Sequence, residues 1–328
     1  MAGKIESLKY IINEKMNTVS AAAPGKIILF GEHAVVYQRP AIAVPVTQVM
    51  VEVMITSLID SRINTVFIQS PNIGLESEIK DLSEQHPIKF AILSVCRLLK
   101  VTDIPPCTIH IHSTIPVASG LGSGAAITVA LLRAFSAFLG NPLTNDQVNN
   151  LTFEVEKIHH LTPSGIDNSV ITYGKPVFFV KGKPLETFEV ARPFSIIIGD
   201  TRISSPTAIT VGEVRQAWEA APQTYENIFD NIKDIVLQAR QAIETGNIIL
   251  LGKLMNLNHA CLCKINVSSP ELERIISASL ASGALGAKLS GSGRGGNMIA
   301  LVHENEAEAI AHAMLNAGAM RTILTHIG

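Results

Sequence analysis

Long apolar runs are missing from this 328-residue chain. No stretch approaches the ~20 residues that a membrane-spanning helix needs. The richest one, residues 41–55, is interrupted by Pro45, Gln48 and Glu52. An excess of either charge is missing too. The formal net charge of −2 removes any general attraction to nucleic acid or to an anionic membrane, so an anion must be held by a local site. Cysteine is scarce. Cys96, Cys107, Cys261 and Cys263 have neither disulfide-framework nor zinc spacing. The Cys261-x-Cys263 pair has no second pair to complete it, so buried free thiols in a reducing cytosol are expected. Residues 1–16 carry Lys4, Glu6, Lys9, Glu14 and Lys15 among their apolar positions, which denies them the uninterrupted core of a signal peptide. They read as a short amphipathic helix in an extra segment, 1–18, ahead of the first strand. A cytoplasmic protein with no nucleic-acid or membrane partner is the expectation. Two nucleotide signatures are also absent. Gly25-Lys26 is followed by Ile27 rather than the Ser or Thr of a Walker loop, and Gly120-x-Gly122-x-Gly124 lacks the later glycine and acidic partner of a dinucleotide fold.

What the chain does have is glycine in three strings: APGKIILFGEH at 23–33, PVASGLGSGAA at 116–126 and KLSGSGRGGN at 288–297. Each follows or interrupts an apolar run of strand type, and the second leads into a long apolar helix. Backbone N–H groups in such loops can reach phosphate oxygens, and a helix starting there adds its positive dipole end. Two basic residues, Lys26 and Arg294, fall within these strings. One glycine loop alone is weak support, since glycine also marks turns. Three, one of them in strand–loop–helix context, point to an enzyme that handles phosphate.

Periodicity gives a strand-rich first third, with strands over 20–30, 49–56, 65–69 and 107–114 and a helix over 87–99. Residues 125–139 are apolar nearly all round, as in a mostly buried helix. Thr144 begins another helix, with Asp146 and Gln147 in its first turn, reaching about His159. A strand pair is expected near 170–180, then a turn-rich boundary within 183–193. The second half reads as a strand at 194–199, helices over 206–220, 224–245, 247–262 and 270–282, a strand at 298–302, a helix over 304–316 and a last strand near 321–326. Strand and helix mix without regular alternation, so the class is α+β. The domains expected are 1–185 and 186–328.

Taken singly, the charged candidates have ordinary readings. Glu32 and His33 follow a buried strand and fit a simple exit to solvent. Glu156 sits at the end of a helix where glutamate is normally solvated. Asp167, in the turn-rich string TPSGIDN at 162–168, suits a capping role. His110 and His112 alternate on one strand face, more in the manner of packed or exposed imidazoles than of a metal pair.

In combination and in this order, the strings resemble the family of galactokinases, homoserine kinases, mevalonate kinases and phosphomevalonate kinases. The resemblance covers nearly all of the chain after about Ser20. The most specific segments, GKIILFGEHAVVY at 25–37 and TPSGIDN at 162–168, are similar to the branch that acts on mevalonate. Galactokinases carry an acidic residue soon after the Glu-His pair, where this chain has Ala34-Val35. The resemblance implies a two-domain α+β fold, ribosomal-protein-S5-like then ferredoxin-like, with the site in the cleft between. It implies ATP- and Mg²⁺-dependent phosphorylation of the C5 hydroxyl of mevalonate, feeding isoprenoid synthesis, and is compatible with a homodimer. Asp167 matches the catalytic base. A carboxylate of pKa ~4 is too weak to deprotonate an alcohol outright, so its proton transfer must come late, as oxygen bonds to phosphorus. Lys26 matches the lysine beside that base, and Glu156 the carboxylate that holds Mg²⁺. Glu32, His33 and Thr207 match substrate-binding positions. Pro116, Ser119, Gly120, Leu121, Gly122, Ser123, Gly124 and Ala125 match the phosphate loop, and Ser290, Gly291 and Gly293 a second loop closing over the nucleotide.

Two positions depart from the family. Its second motif reads Gly-Leu-Gly-Ser-Ser, the last serine being a Mg²⁺ ligand. Gly124 stands there, leaving Ser123 or a water to complete the metal shell. Arg294 replaces a glycine of the third motif, and either approaches a phosphate or a substrate carboxylate or projects into solvent. The rival readings are a sister kinase acting on phosphomevalonate, a sugar or another small alcohol, and a non-catalytic metabolite binder. The second would normally have lost one of Lys26, Glu156 and Asp167.

Overall fold

The longest pair of strands sets the first sheet. Described by a computed structural model, which covers residues 17–59, 61–116, 119–159, 164–204 and 207–328, β1 (Thr18–Phe30) runs antiparallel to β2 (Ala41–Ser57). Their register slips between Pro24 and Gly25, where Pro24 faces Met50 but Gly25 faces Val46. A bulge of this kind bends a strand and re-aims the side chain beside it, and here that side chain is Lys26. β3 (Val66–Ser70) and β4 (Leu75–Glu78) form a hairpin, and β3 lies parallel to β5 (Cys107–Ser113), which pairs antiparallel with the outer half of β2. β6 (Val177–Phe179) pairs with the start of β2, and β7 (Glu186–Thr187) with β6, so this sheet extends to Thr187. Four helices cover it: α1 (Pro87–Leu99), α2 (Ser123–Phe138), α3 (Asn145–His159) and α4 (Ile166–Tyr173).

The second sheet is antiparallel throughout, in the order β11-β8-β10-β9: β8 (Phe194–Asp200), β9 (Gly286–Ser290), β10 (Asn297–Val302) and β11 (Arg321–Ile327). Its helices are α5 (Thr207–Ala220), α6 (Pro222–Thr245), α7 (Ile248–Lys264), α8 (Pro270–Ala281) and α9 (Ala307–Asn316). This is a two-domain α+β architecture. A single buried apolar cluster runs from Ile27 and Val44 in the first sheet to Ile197 and Leu289 in the second. Among the described residues, no helix is long and apolar enough to cross a membrane.

Several local expectations hold for identifiable reasons. Thr144 and Gln147 form a reciprocal capping box, each side chain accepting from the other's backbone N–H at 3.3 and 2.9 Å. α2 is buried on most faces, with Val129, Leu132 and Phe135 fully inside. Others need correcting. Residues 170–173 are not half of a strand pair but the body of α4; only 177–179 form a strand. The β-branched Val170, Ile171 and Thr172 look strand-like, yet burial of all three decides for helix, and left-handed glycines, Gly165 and Gly174, close both ends. β2 starts at Ala41 rather than at 49, because its first half is needed to pair both β1 and β6. The helix expected over 1–16, and Pro206 at the expected start of the helix over 206–220, lie outside the described residues.

Candidate active site

Lys26 is the fixed point of the site. It lies in β1, as the strand expected over 20–30 requires, and its backbone N–H donates to the Leu121 carbonyl at 2.9 Å. That bond ties the glycine string at 119–124 across the strand. Gly122 has φ +75°, and a Cβ there would press on the stem of Lys26 at 2.9 Å and on Ile171 at 3.0 Å, so only glycine lets the loop lie this close. The Lys26 side chain is 9% exposed, and its Nζ reaches Asp167 Oδ1 at 3.1 Å. Asp167 enters from the first turn of α4, just after the left-handed Gly165, and stays a third exposed. The two residues named first in the sequence thus meet.

Glu156, near the end of α3, is buried. Burial first, and then the nearby negative charge of Asp167, pushes its carboxyl up to about 7, against an opposing pull from Lys26. Glu156, Asp167 and Lys26 therefore share one electrostatic neighbourhood. A Cβ at Gly124 would stand 3.6 Å from Glu156 Oε1, in ordinary contact, so the first turn of α2 lies against that carboxylate. α2 begins at a left-handed Gly122 with no side-chain cap and no acidic residue in its first turn. Its leading N–H groups, including those of Ser123, Gly124 and Ala125, are left for an external anion. Pro116 and Ser119 shape the approach: the Ser119 hydroxyl donates to the Pro116 carbonyl at 2.8 Å, with 117–118 outside the described residues.

The second lobe grips this region along a buried seam. Asn297, at the head of β10, donates its side-chain amide to the Ser119 carbonyl and stands beside Gly120. The Ser290 hydroxyl donates to the Ile28 carbonyl at 2.7 Å. Lys288 in β9 is fully buried and ion-paired with Glu32, itself 1% exposed. Burial drives the Glu32 carboxyl up and the Lys288 ammonium down, and their contact pulls each back. Glu32 Oε2 has no hydrogen-bond partner among the described residues.

His33 follows in an unusual backbone. Its φ of 60° and ψ of −49°, with the Ala34 N–H donating to the Glu32 carbonyl at 2.7 Å, make the strained, positive-φ form of the γ-turn. Its ring is buried, with Nε2 at 3.0 Å from the Ser292 carbonyl, and burial takes its pKa down to about 4. The segment after it is clamped by Tyr37 stacked on Phe229 at 4.3 Å and by Arg39 paired with Glu226. Strain of this kind persists only where the surroundings over-determine it.

Other candidates fall differently. Thr207 is exposed at the start of α5 and makes no side-chain hydrogen bond among the described residues, whereas Thr210, one turn on, is buried. Gly291 faces open space, but a Cβ at Gly293, φ +77°, would collide with the Val267 carbonyl. Gly293 is thus needed for packing against the α7–α8 connection. Arg294 does neither thing anticipated for it: it pairs with Glu213 on α5 and donates from Nε and Nη2 to the Asn266 carbonyl at 3.3 Å. Cys96, Cys107 and Cys261 are buried free thiols, but Cys263 is exposed, because an i, i+2 spacing on α7 sends the pair to different faces. Lys288 and Asn297 went unweighed in the sequence although they bound the third glycine string. A lysine inside the apolar strand AKLS was the available signal.

Residues 87–175 match the family described as GHMP kinases N terminal domain, and 239–319 match GHMP kinases C terminal. A mevalonate kinase of Thermococcus gammatolerans is 36% identical over 317 residues, covering 92% of this chain and 93% of its own. The crystal structure of L. major mevalonate kinase in complex with R-mevalonate shares the fold at a TM-score of 0.81 and 30% identity, over 96% of this chain and 97% of that one. Methanococcus jannaschii mevalonate kinase gives a TM-score of 0.81 at 26% identity, over 96% and 100%.

Proposed function

Since this chain belongs to the GHMP kinase family, and matches mevalonate kinases over nearly its whole length, we propose that the pocket built on Lys26, Asp167 and the start of α2 phosphorylates mevalonate. The chain is a phosphotransferase with an alcohol acceptor, and its reaction moves the γ-phosphoryl group of ATP to the C5 hydroxyl, giving 5-phosphomevalonate and ADP for isoprenoid synthesis. The observation that carries the site assignment is the 3.1 Å contact between Lys26 and Asp167 beside an uncapped helix N-terminus.

Phosphoryl transfer asks the protein for positioning and charge rather than covalent chemistry. The free N–H groups at 123–125 and the glycines at 120 and 122 hold the phosphates. Ser290 and Gly291 border the nucleotide from the second lobe, and Gly293 and Asn297 fix that border. As the substrate oxygen bonds to the γ-phosphorus and the bond to the ADP oxygen breaks, its proton passes to Asp167. Lys26 orients that carboxylate and offsets negative charge developing on the alcohol oxygen. His33 lines the acceptor side, with Glu32 holding its turn in place through Lys288. Thr207 is a contact made from the far lip. The oxygen donors fit magnesium: Glu156 is a buried carboxylate near the negative charge of Asp167, Ser123 on the first turn of α2 offers a further oxygen, and a cation would relieve the repulsion between the carboxylates. Magnesium, when bound, neutralises charge on the β- and γ-phosphate oxygens. Nucleotide handling falls to the first domain, whose sheet runs two residues past the expected boundary at 185 to include β7, with the second domain bounding the cleft. The enzyme works in the cytoplasm, as monomer or homodimer, without nucleic-acid or membrane partners.

A coupled assay offering mevalonate, 5-phosphomevalonate and galactose in parallel tests this. Mevalonate should lead the others in kcat/KM by about a hundredfold or more. Equal or faster turnover of either rival would overturn it. A phosphorylated acceptor would have given Arg294 a purpose, but Glu213 already occupies that side chain.

A further inference from the structure

Beside β9, where α7 meets α8, three side chains of different chemistry converge. His259 and Cys263 lie one turn apart on α7, and Glu273 points back from the first turn of α8. Their ligand atoms lie within 4.8 Å of one another, and this is the one such grouping among the described residues. His259 Nε2 is 3.0 Å from Glu273 Oε1, and Cys263 Sγ is 3.5 Å from each of the other two. Zinc bonds of ~2.3 Å to sulfur and ~2.0 Å to nitrogen or oxygen, at tetrahedral angles, put sulfur about 3.5 Å from its neighbours and nitrogen about 3.3 Å from oxygen. The triangle has nearly the edges of one face of that tetrahedron.

A second observation points the same way. Glu273 Oε1 is approached by three groups at once: His259 Nε2, the Cys263 thiol and the Ser268 hydroxyl. A carboxylate oxygen has two lone pairs, and three donors overfill it. One cation in place of two of those protons resolves the crowding and leaves Ser268 as the group that orients the carboxylate. Cys263 and Glu273 are exposed while His259 is buried, so a fourth, solvent-facing position is free for water.

We propose that His259, Cys263 and Glu273 form a zinc site on the α7–α8 face, separate from the magnesium-binding carboxylates. The thiolate selects a borderline-soft ion and rejects magnesium, which prefers oxygen donors. Binding at Nε2 moves the ring proton to Nδ1 and gives up the 3.5 Å contact from the Leu289 N–H. That contact is long, so little is lost. Leu289 follows Lys288 in β9, and Asn258, beside His259, accepts from the Gly31 N–H at 3.4 Å. The site therefore touches the supports of the Glu32–His33 turn.

The test uses the full chain, stripped of metal and kept in excess magnesium without nucleotide. Zinc is titrated against a chromophoric chelator, and cobalt is added as a spectroscopic stand-in. The expected result is one zinc per chain and a thiolate-to-cobalt charge-transfer band in the near ultraviolet. Cys263→Ser and His259→Gln should each lose the band or weaken zinc binding by about tenfold or more. Cys261→Ser and Glu156→Gln should retain both, and circular dichroism confirms that each variant is folded. Absence of the band in the unmutated chain, or zinc binding by folded Cys263→Ser and His259→Gln at unchanged strength, overturns the proposal.

Discussion

The groups around Asp167 and those around Lys288 are both built from oppositely charged side chains, yet they are treated in opposite ways. Asp167 keeps a third of its side chain exposed, Glu156 is pressed toward neutrality by burial and a like charge, and α2 starts without a cap. Lys288 and Glu32 are sealed and paired, and the Lys288 ammonium also donates to the carbonyl of Leu289, the next residue in its own strand. The first cluster is short of compensation, which is what the proposed reading asks of groups that meet a nucleotide, a metal and an alcohol. The second is nearly complete and serves to hold the first in place. Reactivity and rigidity are carried by different residues.

The sharpest way to break this contrast is at Asp167, the proposed base. Asp167→Asn keeps the shape but removes the proton acceptor. It should lower kcat by about 10³-fold, with binding of a non-hydrolysable ATP analogue intact; retention of more than a tenth of the rate would reject the assignment. On the rigid side, Lys288→Met leaves a buried carboxylate alone and should destabilise the fold by about 3–5 kcal/mol in chemical denaturation. Adding Glu32→Leu should recover much of that loss, since the unpaired charge is then gone too.

Glu156→Gln separates stability from function within the reactive cluster. The folded carboxyl titrates near 7, above its ordinary 4.5, so the folded protein keeps a proton that the unfolded chain gives up. The Glu156 contribution to stability is therefore full below about pH 4.5 and is lost as pH rises through 7. The metal-free glutamine variant should match the parent at pH 4 and exceed it by about 3 kcal/mol at pH 8, while needing far more magnesium to turn over. Equal thermal stability at both pH values would remove Glu156 from the cluster. The smallest effect belongs to Arg294→Ala. Its partner Glu213 is half-exposed, so the loss should stay under about 1 kcal/mol in denaturation, with kcat little changed.

Much of the reactive cluster was legible because its chemistry depends on residue types that stand out locally. Lys26 inside an apolar strand, glycines before an apolar helix and Asp167 after Ser-Gly all carry their context with them. The α+β class, the capping box at Thr144 and the extent of α1 and α2 came from periodicity and from caps. What stayed hidden depends on contacts between distant segments. Val170–Ile171–Thr172 favours a strand by itself and becomes helical only through burial. Lys288 looked like a boundary residue until Glu32, 256 positions away, was placed against it. Gly293 needed Val267, and Arg294 needed Glu213. The divergence of Cys263 from Cys261 follows from helical geometry, but only once both are known to lie on α7.

The apolar interior that passes unbroken between the two sheets has a consequence for turnover. Thr325 of β11 is hydrogen-bonded to Gln48 in β2, Ser290 to Ile28, and Asn297 to Ser119. A jaw-like hinge between the halves would tear all three and flood the sealed lysine with water. Yielding at the rim would leave all three in place, which makes the rim the place to tune how fast the enzyme recycles.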